Sequence, residues 1–197
     1  VGGYVSRHQG REYEWRYRSP TFYTSKKALR PHVEGANDAA WIELDGVLPD
    51  DADVSPFGEQ LLVELRTEWR GHAAGSLLAT PIGALAPGVE PPLITLFTPD
   101  ERSSLESFTI TANKLVLKVL SNVRVALRTY TCAPGDGLWR RDATEAEPVI
   151  GGVSISSVDS DRSDEVWLVE WSHIKPQTLS LANLAAGGQQ GLESAQP

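Results

Sequence analysis

The sequence predicts an all-β protein, a single eight-stranded jelly-roll sandwich, and three features of the 197-residue chain support this class. Polar and apolar residues alternate with a period of two through several segments, which is typical of half-buried strands. Turn residues separate these segments at irregular intervals, and helical periodicity is sparse. Two loops, 87–92 and 138–148, are long for simple hairpins, and long connections favour the Greek-key wiring of a jelly roll.

The clearest strand is predicted over residues 61–70, where Val63, Leu65 and Trp69 share one face and charged side chains occupy the other. The turn beginning at Gly71 then returns the chain into an aliphatic strand. The remaining predicted strands cover residues 40–44, 75–82, 93–98, 107–111, 114–120, 123–130, 149–158 and 166–171. Residues 100–107 are consistent with one helical turn, and residues 178–186 with a short helix or an extended tail.

The two ends of the chain are predicted to lie outside the sandwich, which we place at residues 34–180. Residues 1–33 are expected to form an extended N-terminal arm, and the glycine-rich residues 181–197 a flexible C-terminal tail. Residues 1–31 carry seven basic and two acidic side chains, a net charge of +5, so the remainder holds −13 of the total of −8.

A basic, aromatic-rich arm on an acidic body suggests docking on something acidic, either a neighbouring subunit or nucleic acid. Trp15, between Tyr13 and Tyr17, is the aromatic residue expected to be exposed, either stacking on bases or anchoring in a neighbour. The candidate subunit or RNA contacts are Arg7, Arg11, Trp15, Arg16, Arg18, Lys26, Lys27 and Arg30. A solvated segment with incidental charge is the alternative. The other strand tryptophans are expected to pack in the core.

The sequence contains no recognisable catalytic or metal motif, and we predict a protein that is not an enzyme and holds no metal or cofactor. Residues 159–170 follow the spacing of a calcium loop, but Asp164 stands where glycine is required, so an ordinary polar loop is favoured. The acidic residues at 50–53 are interpreted as a polar turn rather than a catalytic carboxylate pair. His72 and His173 are considered as general bases, but no nucleophile adjoins either in sequence.

The chain contains no methionine, even at its first residue, and a single cysteine, Cys132. The missing methionine indicates a product cut from a longer precursor, or alternatively a trimmed chain. One cysteine cannot form an internal disulfide, which favours a polyprotein product over a secreted domain.

Two segments resemble the capsid proteins of picorna-like viruses, the group that includes secoviruses and picornaviruses. They are LLVELRTEWRGHAAGSLLATPIGALAPG at residues 61–88 and EVWLVEWSHIKP at residues 165–176. The resemblance implies a jelly-roll coat protein, cut from a polyprotein, that assembles with itself or with sister coat proteins into an icosahedral shell around viral RNA. The expected location is the virion, and the host cytoplasm during assembly. Pro197 is not a typical cleavage residue of such viruses, so the chain would be the last in its polyprotein.

Two other functions remain open from the residues alone. A phage head or tail component would also be all-β and assembled, but is normally translated from its own start codon. A carbohydrate-binding sandwich would present exposed tryptophan and tyrosine on a concave face.

Overall fold

The computed structural model describes residues 1–32, 39–135, 137–142, 151–173, 176–185 and 193–195. It confirms the all-β class: these residues form sixteen strands and one short 3₁₀ turn, Ile82–Ala84, and no α-helix occurs among them. No helix in this part of the chain is long and apolar enough to cross a membrane. The chain divides into two compact units, residues 1–98 and 99–197.

The first unit contains two four-stranded antiparallel sheets, each with its strands in chain order. Sheet 1 consists of β1 (Gly2–His8), β2 (Arg11–Arg18), β3 (Lys26–Pro31) and β4 (Ile42–Glu43). Sheet 2 consists of β5 (Asp53–Phe57), β6 (Gln60–Glu64), β7 (Leu77–Pro81) and β8 (Ile94–Phe97). The residues expected to be an extended arm therefore form the first three strands of a sheet.

The second unit repeats this arrangement with two further antiparallel sheets in chain order. Sheet 3 consists of β9 (Ser103–Ile110), β10 (Lys114–Ser121), β11 (Arg124–Cys132) and β12 (Trp139–Arg141). Sheet 4 consists of β13 (Gly152–Ser157), β14 (Glu165–Trp171), β15 (Thr178–Asn183) and β16 (Glu193–Ala195). Part of the expected tail thus lies in β15 and β16, and residues 186–192 and 196–197 are outside the described residues.

The prediction of a single jelly roll was wrong. A jelly roll needs Greek-key connections that carry the chain to a non-adjacent strand. Here each strand pairs with the next along the chain, and the four-stranded up-and-down sheet that results is the unit repeated as a blade in β-propellers. The helical turn considered at residues 100–107 is also absent, since β9 already begins at Ser103, and residues 178–183 form a strand.

Tight turns explain why neighbouring strands pair. The β1–β2 hairpin turns at Gln9 and Gly10, with φ of 50° and 70°, which is the type I′ geometry that matches the strand twist. The β10–β11 hairpin turns in the same way at Asn122 and Val123, with φ of 48° and 69°. The turn predicted after residue 70 is present, where Arg70 and Gly71 join Trp69 to His72.

The core of the first unit lies between sheets 1 and 2. Trp15 and Leu29 of sheet 1 cluster with Leu61, Val63 and Leu78 of sheet 2. Strict alternation along β2 places Tyr13, Trp15 and Tyr17 on the face of sheet 1 that is turned towards sheet 2. Trp69 packs against the same cluster, as the sequence predicted.

In the second unit, β10 is the most buried strand and sheet 4 contributes Val153 and Val166 to the interior. The opposite face of sheet 4 differs from the prediction, because Trp167 and Trp171 are 40% and 43% exposed rather than packed in the core.

Candidate functional site

The basic residues predicted to contact a partner are mostly neutralised within the first unit. The ion pairs are Arg7–Glu12, Arg11–Glu59, Arg16–Glu43, Lys26–Asp45 (2.6 Å) and Arg30–Glu14 (2.6 Å). Lys27 is half-buried and donates a hydrogen bond to the Ala52 carbonyl at 2.6 Å. Burial lowers the pKa of Lys27, although nearby carboxylates oppose this. Arg18 has no ion pair among the described residues.

One face of sheet 1, which we call the charged face, carries four of these ion pairs, those of Arg7, Arg16, Lys26 and Arg30. The strand register places Arg11 and Lys27 on the opposite face, towards sheet 2. The guanidinium groups of Arg16 and Arg30 lie over the Trp41 ring, 4.4 Å and 4.7 Å from its centroid. His32 Nδ1 is 2.7 Å from Glu14 Oε1. Hydrogen bonds from His32 and Arg30 lower the pKa of Glu14. Because the cations of this face other than Arg18 are paired one by one, it lacks most of the uncompensated charge with which proteins bind polyphosphate chains.

Three aromatic side chains occupy the other face of sheet 1 and form what we call the aromatic corner: Tyr4, Trp15 and Tyr17. Trp15 is 3% exposed, contrary to the expectation of an exposed contact, and its Nε1 donates to Ser6 Oγ at 2.7 Å. The Tyr4 ring stacks on Trp15 with centroids 5.8 Å apart and an interplanar angle of 6°. Tyr17 lies 6.5 Å from Tyr4 and is tilted by 54°.

The two tyrosines of the aromatic corner are open to solvent. Tyr4 is 50% exposed and Tyr17 is 41% exposed, so each presents ring surface that the core does not cover. Burial of the rest of the ring, and to a smaller extent the neighbouring Tyr17, raises the pKa of Tyr4. The Tyr4 phenol therefore stays neutral at physiological pH. The corner presents exposed aromatic ring surface.

Two glycines allow the aromatic corner to form. A Cβ atom at Gly2 would lie 2.5 Å from Tyr17 Oη, so the Tyr17 ring covers this residue. A Cβ atom at Gly3 would lie 2.7 Å from the Trp15 carbonyl oxygen. The absence of a side chain at Gly2 thus lets Tyr17 lie across β1 beside Tyr4, and its absence at Gly3 leaves room for the Trp15 carbonyl.

The far end of β1 is closed by a buried histidine. The His8 ring packs on Phe57 with centroids 4.5 Å apart, and His8 Nδ1 accepts a hydrogen bond from the Gly58 amide at 2.8 Å. Nδ1 therefore carries no proton. These contacts join β1 to β5 at one end only, and the other end of β1, around Tyr4 and Val5, remains exposed.

Asp50 and Asp51 lie in the polar turn that the sequence predicted, and Asp53 begins β5. Asp53 pairs with Arg66 at 2.7 Å, and Asp51 accepts a hydrogen bond from Thr67 at 2.9 Å. The Asp50 carbonyl accepts from the Ser25 amide at 2.8 Å. Each contact joins this turn to a neighbouring loop of the first unit.

The loop considered for calcium is organised around a buried carboxylate that faces the protein. Asp164 accepts hydrogen bonds from Thr111 Oγ1 at 2.7 Å, the Asn113 amide at 2.7 Å and Asn113 Nδ2 at 3.0 Å. Burial alone would raise the pKa of Asp164, but these hydrogen bonds and the charge of Lys114 hold it below the usual value. The described residues contain no cluster of three or more groups able to hold a metal ion.

The comparison with curated proteins relates the chain to a peptidase. It is 30% identical over 178 residues to the uncharacterized peptidase y4nA of Sinorhizobium fredii. The match covers 87% of this chain and 23% of the relative. No model of a known protein family matches the chain.

Solved structures with a similar fold are also peptidases. A post-proline cleaving enzyme from Rickettsia typhi matches 95% of this chain and 26% of its own with a TM-score of 0.69 and 19% identity. Prolyl oligopeptidase B from Galerina marginata matches 98% of this chain and 26% of its own, with a TM-score of 0.63 and 13% identity. Oligopeptidase B from Trypanosoma brucei, with covalently bound antipain, matches 98% of this chain and 27% of its own, with a TM-score of 0.62 and 16% identity.

These findings overturn the capsid interpretation. The relatives are peptidases of cellular organisms, so the predictions of a picorna-like coat protein, a non-enzyme, a virion location, and coat-protein and RNA partners were wrong. The phage and carbohydrate-binding alternatives fit no better. The resemblance rested on alternating strands joined by a glycine turn, and any antiparallel hairpin has this pattern. Whether the eight basic-segment residues contact another macromolecule stays a prediction.

The chain thus has the fold of about a quarter of each of these solved peptidases and spans 23% of the length of its curated relative.

Proposed function

We propose that this chain forms a non-catalytic, sheet-repeat portion of a longer peptidase of the prolyl oligopeptidase type. The observation that carries the proposal is the 30% identity over 178 residues to a peptidase more than four times the matched length. The succession of four-stranded sheets supports it, because such sheets occupy the matching part of the solved peptidases.

The chemistry of the described residues fits a scaffold better than an active site. Peptide hydrolysis requires a nucleophile, a base that activates it and donors for the developing oxyanion. Both ring nitrogens of His32 face carboxylates, with Nε2 3.8 Å from Glu12. His8 Nδ1 is occupied by a backbone amide, and Asp164 is enclosed by three donors. His8 joins sheet 1 to sheet 2, Asp164 joins sheet 3 to sheet 4, and His32 is held by carboxylates of sheet 1, so we place the catalytic residues in another part of the longer protein.

The substrate class follows from the relatives. One similar structure is named for cleavage after proline, and another is a prolyl oligopeptidase whose structure with a 35-residue substrate also matches this chain. We therefore propose that the longer protein acts on peptides that contain proline.

The test uses the complete reading frame that encodes these residues. The purified product is assayed with fluorogenic peptides that carry either proline or alanine before the scissile bond, and residues 1–197 alone are assayed in parallel. We expect the complete protein to cleave the proline peptide faster, and the 197-residue chain to cleave neither. Hydrolysis by the 197-residue chain would refute the non-catalytic role, and a complete protein without peptidase activity would refute the assignment.

A further inference from the structure

We infer that the exposed end of β1, together with the aromatic corner, is a binding site for an extended peptide with a proline opposite Tyr4. This inference deepens the proposed function and rests on it for the choice of proline-containing peptides. It assigns peptide contacts to residues of a portion that we place away from the catalytic residues.

The first observation is that β1 has an open edge. Sheet 1 runs β1-β2-β3-β4, so among the described residues no strand pairs with the other side of β1. The β1–β2 hairpin has a two-residue turn, and the flanking residues His8 and Arg11 form a hydrogen-bonded pair. Hydrogen-bonded and non-hydrogen-bonded pairs alternate from there. Gly3, Val5 and Arg7 therefore direct their N–H and C=O groups away from β2.

Open backbone groups of this kind bind another extended chain. A peptide can add to a sheet edge as a further strand, with main-chain hydrogen bonds for affinity and side-chain contacts for specificity. At ~3.3 Å per residue, an added strand places about five residues along Gly3–Arg7. Beyond this segment, the contacts of His8 with Phe57 and Gly58 close the edge. The site thus accommodates a short segment of peptide.

The second observation is the chemistry on either side of this edge. Gly3 has no side chain to obstruct a peptide, and Val5 is 54% exposed. Tyr4 and Tyr17 offer exposed aromatic ring surface on one face of the strand. Aromatic-lined grooves bind proline-rich segments, whose extended backbone is ordered before binding.

The register explains why proline suits the position opposite Tyr4. Tyr4 uses its N–H and C=O for the hydrogen-bonded pair with Trp15, so towards an added antiparallel strand it faces a non-hydrogen-bonded position. The peptide residue at that position points its own backbone nitrogen away from β1. Proline lacks an N–H donor and loses no hydrogen bond there. In a non-hydrogen-bonded pair the side chains are also closest, which brings the proline ring onto Tyr4.

The test measures binding without catalysis. A fluorescein-labelled peptide of about five residues with a central proline is titrated with the 197-residue chain and followed by fluorescence anisotropy. The same peptide with alanine in place of proline is titrated beside it. We expect the alanine peptide to bind roughly fivefold more weakly, and Tyr4→Ala to weaken the proline peptide by roughly fivefold to tenfold. Tyr23→Ala is the matched control, because Tyr23 is exposed on the β2–β3 loop outside the corner.

A second pair of variants tests the edge. Val5→Pro removes an outward-facing donor while leaving the β1–β2 ladder intact, and should abolish binding. Val5→Ala keeps that donor and should bind within about twofold of the wild type. Far-UV circular dichroism and tryptophan emission establish that each variant is folded. Equal binding of both peptides, unchanged affinity in folded Tyr4→Ala, or unchanged affinity in folded Val5→Pro would each overturn the inference.

The outcome is independent of the peptidase assay. A complete protein that cleaves proline peptides, combined with a 197-residue chain that binds none, would refute the binding site and leave the proposed function standing. Binding with the expected variant pattern, combined with a complete protein that cleaves no peptide, would refute the peptidase assignment alone.

Discussion

Asp164 offers the sharpest test of how the second unit is held together. It is 7% exposed and joins the β13–β14 loop of sheet 4 to the β9–β10 turn of sheet 3 through Thr111 and Asn113. Asp164→Ala removes an ionised acceptor and leaves three donors without it. One hydrogen bond to a charged group contributes about 1.5–3 kcal/mol. Because the three share one acceptor they are not additive, and we expect a total loss of about 3–5 kcal/mol.

Asp164→Asn refines this prediction. The amide can still accept from Thr111 and from the Asn113 backbone, but its NH₂ group then faces Asn113 Nδ2, so two donors meet where a bond existed. We expect roughly half the loss seen for alanine. Asp161→Asn is the matched control in the same loop, because one carboxylate oxygen of Asp161 has no hydrogen-bond partner among the described residues.

The assay is urea denaturation followed by tryptophan emission. A loss in Asp164→Ala of less than about 1 kcal/mol relative to Asp161→Asn would refute the reasoning. The pH dependence is a second readout. Since the folded pKa of Asp164 lies below the ordinary 3.8, its stabilisation is present above pH 3.8 and is lost as the pH falls towards the folded value. The wild type should therefore lose stability more steeply below pH 3.8 than Asp164→Asn.

Two further predictions follow from the turns and from the charged face. Val123 is a β-branched residue with φ of 69°, and its side chain is 84% exposed. Val123→Gly should therefore relieve backbone strain and raise the free energy of unfolding by about 1 kcal/mol. A lower thermal midpoint in the variant would contradict this. His32 and Arg30 hold the pKa of Glu14 below its usual value. Arg30→Ala should therefore move the Glu14 titration to higher pH in a side-chain carboxyl NMR experiment. A titration that stays in place or moves to lower pH would show that Arg30 does not stabilise the carboxylate.

Only part of the aromatic corner could be predicted from the sequence. Trp15 and its neighbours Tyr13 and Tyr17 stand out as an aromatic segment, but Tyr4 is eleven residues earlier and joins them only through the β1–β2 register. The signal that could have found it is the Gln9-Gly10 turn, which pairs Tyr4 with Trp15 once a two-residue hairpin is assumed. The basic residues are recognisable in the sequence as one charged segment, but the acidic partner of Arg11 comes from a distant segment, at Glu59.

The sequence by itself determined the all-β class and the two faces of strands such as β10, β11 and β14, because side chains alternate with a period of two whatever the strand pairs with. It did not determine which strands pair. Eight to nine alternating segments are equally compatible with Greek-key and sequential pairing, since the partner of a strand is set by turn geometry and by contacts between residues far apart in the chain. Only the tertiary structure showed that each strand pairs with its neighbour along the chain within each sheet. Because of this sequential pairing, the chain forms four successive sheets rather than the one sandwich that was predicted.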